Sequence, residues 1–413
     1  MRRFRKRQQS FNFKQFSPKQ QKVLYWWQEG SPYKNYDMII TDGSIRAGKT
    51  IAMVCSFLQW SQNFNGECFI IAGKTMGALK RNVIEPIQQM LGAWGWKYEY
   101  NRSENYLIIG NNIYYLFGAS TEASQDTLQG LTAAGALADE IALFPRSFVN
   151  QMIGRCSVEG SKIFANCNPD NPFHYIKKEY IEQAEQKKIL HLHFNMSDNW
   201  TLSSEIIDRY KRMYEGVFYK RYILGEWVKA EGVVYDMFDE ELHTYTDDYN
   251  YTQYNISVDY GTQNATVFLL WGLYKGNWYI VDEYCYSGRE EGKQKTDKEY
   301  TDDLIEFIGS RKVNYIIVDP SAASFKLELK NAGFIIKNAN NNVLDGIRYT
   351  QTLIAQNKII INKRCRNLIK EFRLYSWDEK AANRGVDEVI KEHDHAMDAM
   401  RYFSYTILRR FYR

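Results

Sequence analysis

The segment Gly43-Ser44-Ile45-Arg46-Ala47-Gly48-Lys49-Thr50 has the spacing G-x-x-x-x-G-K-[ST]. With glycine near 7% of residues, such a match arises by chance in about 1% of chains this long. The spacing dictates a strand, a tight loop and a helix, because backbone N–H groups of a glycine-rich turn must point inward at phosphate oxygens beside a helix N-terminus. The flanks agree. Met38, Ile39 and Ile40 form a short buried-strand run, and Ile51 to Trp60 reads as an apolar-faced helix. In this reading Lys49 neutralises the terminal phosphates of a nucleotide, Thr50 places its hydroxyl on Mg²⁺, and Gly43 and Gly48 let the backbone pass close to the ligand. Ser44, Ile45, Arg46 and Ala47 supply the backbone between them.

Further strands are expected at Cys68 to Ala72, Tyr106 to Ile109, Ile113 to Phe117, Gly135 to Ala138 and Lys162 to Ala165, with helical stretches between several of them. That alternation implies a largely parallel sheet covered by helices. One strand closes on Asp139-Glu140, a carboxylate pair suited to ATP hydrolysis: Asp139 for the metal and Glu140 as the base that polarises the attacking water. Another ends in Asn166-Cys167-Asn168-Pro169, where the Asn168 amide is placed to bond the γ-phosphate. Near the N-terminus, Phe16-Ser17-Pro18-Lys19-Gln20-Gln21 offers Gln21 as a reader of the adenine edge.

Turn-rich residues at 168–172 break the strand pattern, and polar helical segments occupy Tyr175 to Lys188 and Ser203 to Tyr214. The division expected is 1–174 for the P-loop domain with a basic N-terminal arm, 175–234 for a helical linker subdomain, and 235–413 for a second α/β domain. In that last part strands are expected at Tyr254 to Asp259, Thr266 to Tyr274, Asn277 to Asp282 and Tyr315 to Asp319. Asp259 and Asp319 close two of them, and Asp398 sits in a late helical run with Asp394 and His395 each about one turn away. Acids at strand ends followed by a helix acid suit an RNase H-type centre, in which two hard cations about 4 Å apart cleave a phosphodiester. Lys391 is a candidate contact to the scissile phosphate.

Composition sets limits. A chain of 413 residues, 45% hydrophobic and 25% charged, is a folded chain of about two domains. Its six cysteines show no C-x-x-C or His-flanked spacing, which argues against a disulfide framework and a structural zinc site. No run of about 18 apolar residues is present, so no membrane span is expected. Net charge is only +4, but the first 50 residues hold 11 Lys or Arg against 3 acids, and the last 15 hold four Arg and no acid. Both ends suit an anionic polymer.

With both constellations in hand, the chain resembles the large terminase subunit of tailed bacteriophages of the headful-packaging type. The resemblance runs from about Phe16 to the end. It rests on the P-loop with its internal arginine, on Leu137-Ala138-Asp139-Glu140, Asn166-Cys167-Asn168-Pro169 and Gly225-Glu226-Trp227, and most specifically on Asp394-His395-Ala396-Met397-Asp398-Ala399-Met400-Arg401-Tyr402. It implies an α/β chain: an N-terminal ASCE-type P-loop ATPase domain with a parallel-rich sheet, followed by a C-terminal RNase H-like nuclease domain. It further implies Arg46 as a phosphate-sensing residue, Asn168 as part of a coupling motif, and Asp259, Asp319 and Asp398 as nuclease metal ligands with His395 adjacent. Arg155 and Arg81 are candidates for an arginine that completes a neighbouring subunit's ATP site. The cofactors implied are ATP with Mg²⁺, and two Mg²⁺ or Mn²⁺ for the nuclease. The partners implied are double-stranded DNA, the portal protein and a small terminase subunit. A homo-oligomeric ring docked transiently on the procapsid in the host bacterial cytoplasm is expected, absent from the mature virion. Rival readings are a repair or recombination helicase-nuclease and a nonenzymatic DNA-binding scaffold.

Overall fold

The computed structural model describes residues 11–261, 265–288 and 291–412; the basic run Met1 to Arg7 lies outside them. The chain divides into two compact units. The first comprises 1–211 and 219–229, the second 212–218 and 230–413.

The first unit is built on eight strands: β1 (Met38–Gly43), β2 (Cys68–Gly73), β3 (Tyr98–Asn101), β4 (Tyr106–Ile109), β5 (Asn112–Gly118), β6 (Gly135–Asp139), β7 (Lys162–Asn166) and β8 (Ile189–Phe194). Their order is β3-β4-β5-β2-β6-β7-β1-β8. From β5 to β8 every pairing is parallel, while β3, β4 and β5 form an antiparallel edge. Strand periodicity divides the core between the two faces. Ile39, Phe69, Ile71 and Phe164 face one cluster, and Met38, Ile40, Ile70, Ile163 and Ala165 face the other. On the first face α1 (Pro18–Tyr25) packs on α2 (Lys49–Ser61), whose Met53, Phe57 and Trp60 are buried, beside α3 (Glu85–Trp94). α4 (Arg146–Arg155) buries Phe148, Val149 and Met152 in the second cluster.

Because β7 lies between β1 and β6, the P-loop, Asn166-Cys167-Asn168 and Asp139-Glu140 emerge side by side from the carboxyl edge, where open parallel sheets bind ligands. The segment expected as a helical linker contributes differently. Ile189–Phe194 is an edge strand paired with β1 over its whole length, and residues 219–229 also belong to the first unit.

The second unit has β9 (Thr244–Tyr245), β10 (Gln253–Asp259), β11 (Ala265–Tyr274), β12 (Asn277–Ser287), β13 (Val313–Val318), β14 (Ile336–Asn338) and β15 (Ile359–Asn362), ordered β14-β13-β10-β11-β12-β15-β9. The meander β10-β11-β12 is antiparallel, and β13 joins β10 in parallel with Val258 opposite Val318. Hence Asp259 and Asp319 leave the same edge of adjacent strands. One face is covered by α5 (Asp297–Ile308) through Tyr300, Leu304 and Ile308. Beyond it in sequence come α6 (Val343–Ala355), α7 (Arg366–Phe372) and α8 (His395–Phe403), and α8 packs against β10 and β11.

Candidate functional site

In the first unit the loop leaves β1 at Gly43, whose φ is +120° and where a Cβ would stand 1.9 Å from Phe194 O. Any side chain there would push β8 away. Gly48, at φ +83°, precedes α2, and no side chain caps that helix. Its first N–H groups face the loop, the arrangement that receives phosphate oxygens. Lys49 is 5% exposed and curls over the loop, its Nζ donating to Gly43 O at 3.0 Å, Ser44 O at 2.7 Å and Asn168 Oδ1 at 3.0 Å. Burial pulls its pKa down, and the charge of Glu140 opposes that shift.

Thr50 Oγ1 donates to Asp139 Oδ1 at 3.1 Å, and Asn166 Nδ2 reaches the same oxygen at 2.9 Å. A hydroxyl and a carboxylate therefore meet at the loop, a donor set of oxygens that fits Mg²⁺. Glu140 adopts φ +61°, a left-handed conformation that costs a non-glycine residue roughly 1–3 kcal/mol and clusters at functional sites. Asn168 holds its carboxylate through Nδ2 at 3.0 Å to each oxygen, and through its backbone N at 3.3 Å. Burial, then the charge of Asp139, pushes the Glu140 carboxyl up to about 7. Arg46 has φ +58°; its carbonyl accepts from Asn199 Nδ2 at 2.7 Å, and its guanidinium lies 5.6 Å from the Tyr210 ring centroid.

The glutamine that meets the loop is Gln20 rather than Gln21. Gln20 Nε2 points at Gly48 O at 3.4 Å, whereas Gln21 is exposed and bonds Phe16 O. The two differ because one helical step turns a side chain by about 100°. Gln20 lines a cavity of about 220 Å³ with Phe11, Phe13, Phe16, Gly48 and Ile51.

Asp42, immediately before the loop, belongs to a network that the sequence reading missed. It is 1% exposed and accepts from Trp227 Nε1 at 2.6 Å, with His191 Nε2 at 2.8 Å and His193 Nδ1 at 3.0 Å. Residues 219–229 form a strap: Tyr222 O accepts from Ile45 N at 2.9 Å, and Arg221, 3% exposed, bonds Asp170 at 2.7 Å. Burial alone would raise the Asp42 pKa, but the bonds from His191, His193 and Trp227 hold it well below the usual carboxylate range. Since the folded pKa is depressed, this stability is full above about pH 4, the unfolded value, and is lost as pH falls toward the folded value. Asp42→Asn is expected to cost about 1.5–3 kcal/mol, the scale of a charged hydrogen bond. The melting-temperature gap between the variant and the parent should shrink below pH 4; a gap constant with pH would contradict it.

In the second unit Asp259 Oδ2 lies 2.9 Å from His395 Nδ1. Burial, opposed by that bond and reinforced by the charge of Asp398, pushes the Asp259 carboxyl up to about 6. The His395 pKa rises through its bond to Asp259. Asp398, 8% exposed, is paired with the buried Arg401 at 2.9 Å, while Asp319 accepts from Tyr402 OH at 2.9 Å and Ser321 N at 2.7 Å. Among the described residues no group of three His, Cys, Asp or Glu side chains is arranged to hold a metal ion, and each of the three aspartates is engaged by a protein donor. The donors nonetheless fit a hard divalent ion. Asp259 and Asp398 offer carboxylate oxygens within reach of each other's charge, and Asp319 leaves the strand beside Asp259. Lys391 Nζ stands 3.6 Å from Asp394 and 4.0 Å from Asp398 at the exposed side. Arg155 ends α4, and Arg81 lies in the helical turn Lys80–Ile84 before α3.

These two units define the class: an ASCE-type P-loop ATPase joined to an RNase H-like nuclease domain. The family model for the terminase large subunit, T4likevirus-type, N-terminal, matches residues 40–242, and that for the terminase RNaseH-like domain matches 256–405. The large terminase of a thermophilic bacteriophage is 52% identical with a TM-score of 0.89, over 96% of this chain and 100% of that one. Its complex with ADP gives 51% and 0.87 over 95% and 100%. The terminase large subunit of Escherichia phage T5 is 26% identical over 232 residues, 53% of this chain and about half, 52%, of that protein. The chain belongs to the terminase large subunit family.

Proposed function

We propose that this chain is the motor and nuclease of viral DNA packaging: ATP hydrolysis drives double-stranded DNA into a procapsid, and a metal-dependent endonuclease cuts the concatemer. One observation carries the reading of the motor. Lys49 at the start of α2, and Asn168 and Glu140 just past the ends of β7 and β6, form one unbroken hydrogen-bonded run. The thermophilic phage's terminase complexes with ADP and with ATP-gamma-S, both 51% identical to this chain, support nucleotide use.

In the ATPase, the backbone of Gly43 to Thr50 and the Lys49 ammonium bind the β- and γ-phosphates. Thr50 and Asp139 would hold magnesium, which would supply charge neutralisation there. Glu140 orients the attacking water and takes its proton as the bond to the γ-phosphorus forms and the bond from that phosphorus to the β–γ bridging oxygen breaks, with ADP as the leaving group. Asn168 must change partners when the phosphate reaches Lys49, and Asp170, two residues on, is tied to Arg221 in the strap. Arg46 senses the phosphate, the base lies among Phe11, Phe13 and Phe16, and Gln20 reads its edge. Arg81 or Arg155 completes a neighbouring copy's site in a ring.

In the nuclease, Asp259, Asp319 and Asp398 would hold Mg²⁺ or Mn²⁺, which would supply activation of water and stabilisation of the leaving oxygen. His395 orients Asp259, and Lys391 contacts the scissile phosphate. The partners are duplex DNA, the portal ring and a small terminase subunit, met on the procapsid in the host cytoplasm. Among the described residues no helix is long and apolar enough to cross a membrane.

The test is translocation along duplex DNA. Procapsids should stimulate ATP turnover and DNA uptake without strand separation; robust unwinding of a forked duplex would favour the repair helicase-nuclease instead. ATP turnover that is lost in Lys49→Ala would exclude the nonenzymatic scaffold.

A further inference from the structure

The helix carrying His395 and Asp398 has no side-chain cap of its own. Its N-cap residue, Asp394, makes no side-chain bond to the first turn of α8. The N–H groups of Ala396 and Met397 donate instead to a single oxygen, Glu371 Oε2, at 2.9 and 3.1 Å. Glu371, 8% exposed, stands at the end of α7, and the start of α7 is held in the same way. Asn367 N and Leu368 N donate to the two carboxylate oxygens of Glu283 on β12, at 2.6 and 2.9 Å. Glu283 pairs across the sheet with Leu269 on β11, and β11 pairs with β10, where Val267 faces Asp259. Two carboxylates thus link the sheet bearing Asp259 to the helix bearing Asp398. The far end of α8 is fixed by Phe403, stacked on Trp271 with centroids 4.2 Å apart.

We propose that Glu371 is a positioning residue of the nuclease, acting through its two N–H contacts to set the rotation and depth of α8, so that His395 and Asp398 face Asp259. Glu283 supports it by fixing α7. The proposal rests on the nuclease reading above. A carboxylate that merely stabilised the fold would not govern metal dependence. Groups that orient metal ligands from behind typically change metal affinity or activity by about 10–100-fold.

The experiment compares Glu371→Ala, Glu371→Gln and Asp259→Asn in the full chain, reading plasmid cutting against Mn²⁺ or Mg²⁺ concentration. Amide hydrogen exchange of residues 396–400 is measured without metal, and ATP turnover reports the fold. Glu371→Ala should raise the half-saturating metal concentration by about tenfold or more and speed exchange at Ala396 and Met397, with ATP turnover intact. Glu371→Gln retains one oxygen able to accept both N–H groups and should stay near the parent in both readouts. Parent-like metal dependence in Glu371→Ala would overturn the proposal. So would a Glu371→Gln variant that turns over ATP yet cuts as poorly as Asp259→Asn, because the charge and not the contact would then matter. Should Glu371→Ala fail to fold, Glu371→Asp, whose shorter side chain draws the carboxylate back from both N–H groups while keeping its charge, takes its place with the same expected rise in the metal requirement. Undiminished cutting by Asp259→Asn would instead sink the nuclease reading itself.

Discussion

Glu140→Gln is expected to lower ATP turnover by about 10²–10⁴-fold, the usual contribution of a positioned general base, while ATP binding persists. The substitution preserves volume but removes the group able to accept a proton from water. It also disturbs Asn168, whose Nδ2 now bonds both carboxylate oxygens and whose Oδ1 accepts from Lys49. An amide at position 140 presents N–H toward N–H on one side. Asn168 must then turn, and Lys49 loses a partner. Phosphate release measured alongside binding of a fluorescent ATP analogue separates the two effects. A variant turning over ATP within tenfold of the parent would remove Glu140 from the base role.

Asp259→Asn is expected to abolish plasmid cutting and leave ATP turnover untouched. A metal site contributes several kcal/mol of charge stabilisation, so a drop of about 10²–10⁴-fold is the scale of the loss. Stability should move the other way or not at all. The Asp259 carboxyl is buried enough for its pKa to be pushed up to about 6, so a neutral amide relieves a desolvation cost while keeping an oxygen for His395. The expected pair of results is a dead nuclease with a melting temperature no lower than the parent's. A large fall in melting temperature would mean that Asp259 serves the fold and not the cut.

The residues that announced themselves in the sequence did so through local chemistry. The P-loop is legible because one short turn needs glycine, lysine and a hydroxyl at fixed offsets. Asp139, Asn168, Asp259 and Asp319 are legible because a polar residue closing an apolar strand stands out. What was not legible depends on distant partners or on the phase of a helix. Gln20 and Gln21 are chemically identical, and only the rotation of α1 about its axis selects the first. β8, Ile-Leu-His-Leu-His-Phe, carries two histidines that weaken its strand pattern, yet they are there to meet Asp42, about 150 positions earlier. Glu371 lies 25 residues before the amides it serves, with no spacing to betray the pairing. The bonds from Tyr402 and Ser321 to Asp319 were equally invisible, because they follow from side-chain direction.

The path of the chain between the units has a practical consequence. The polypeptide leaves the first unit after Lys211, returns at Tyr219 and departs again after Lys229. An isolated ATPase fragment ended at Lys211 would look complete by its sheet but would lack Tyr222, Arg221 and Trp227, the partners of Ile45, Asp170 and Asp42. By the same token, a protease nick within 212–218 would cut the chain without releasing the ATPase, because its closing segment, 219–229, would stay on the other piece. Any dissection of this protein should therefore place its boundary after Lys229 and bridge the excursion with a short linker.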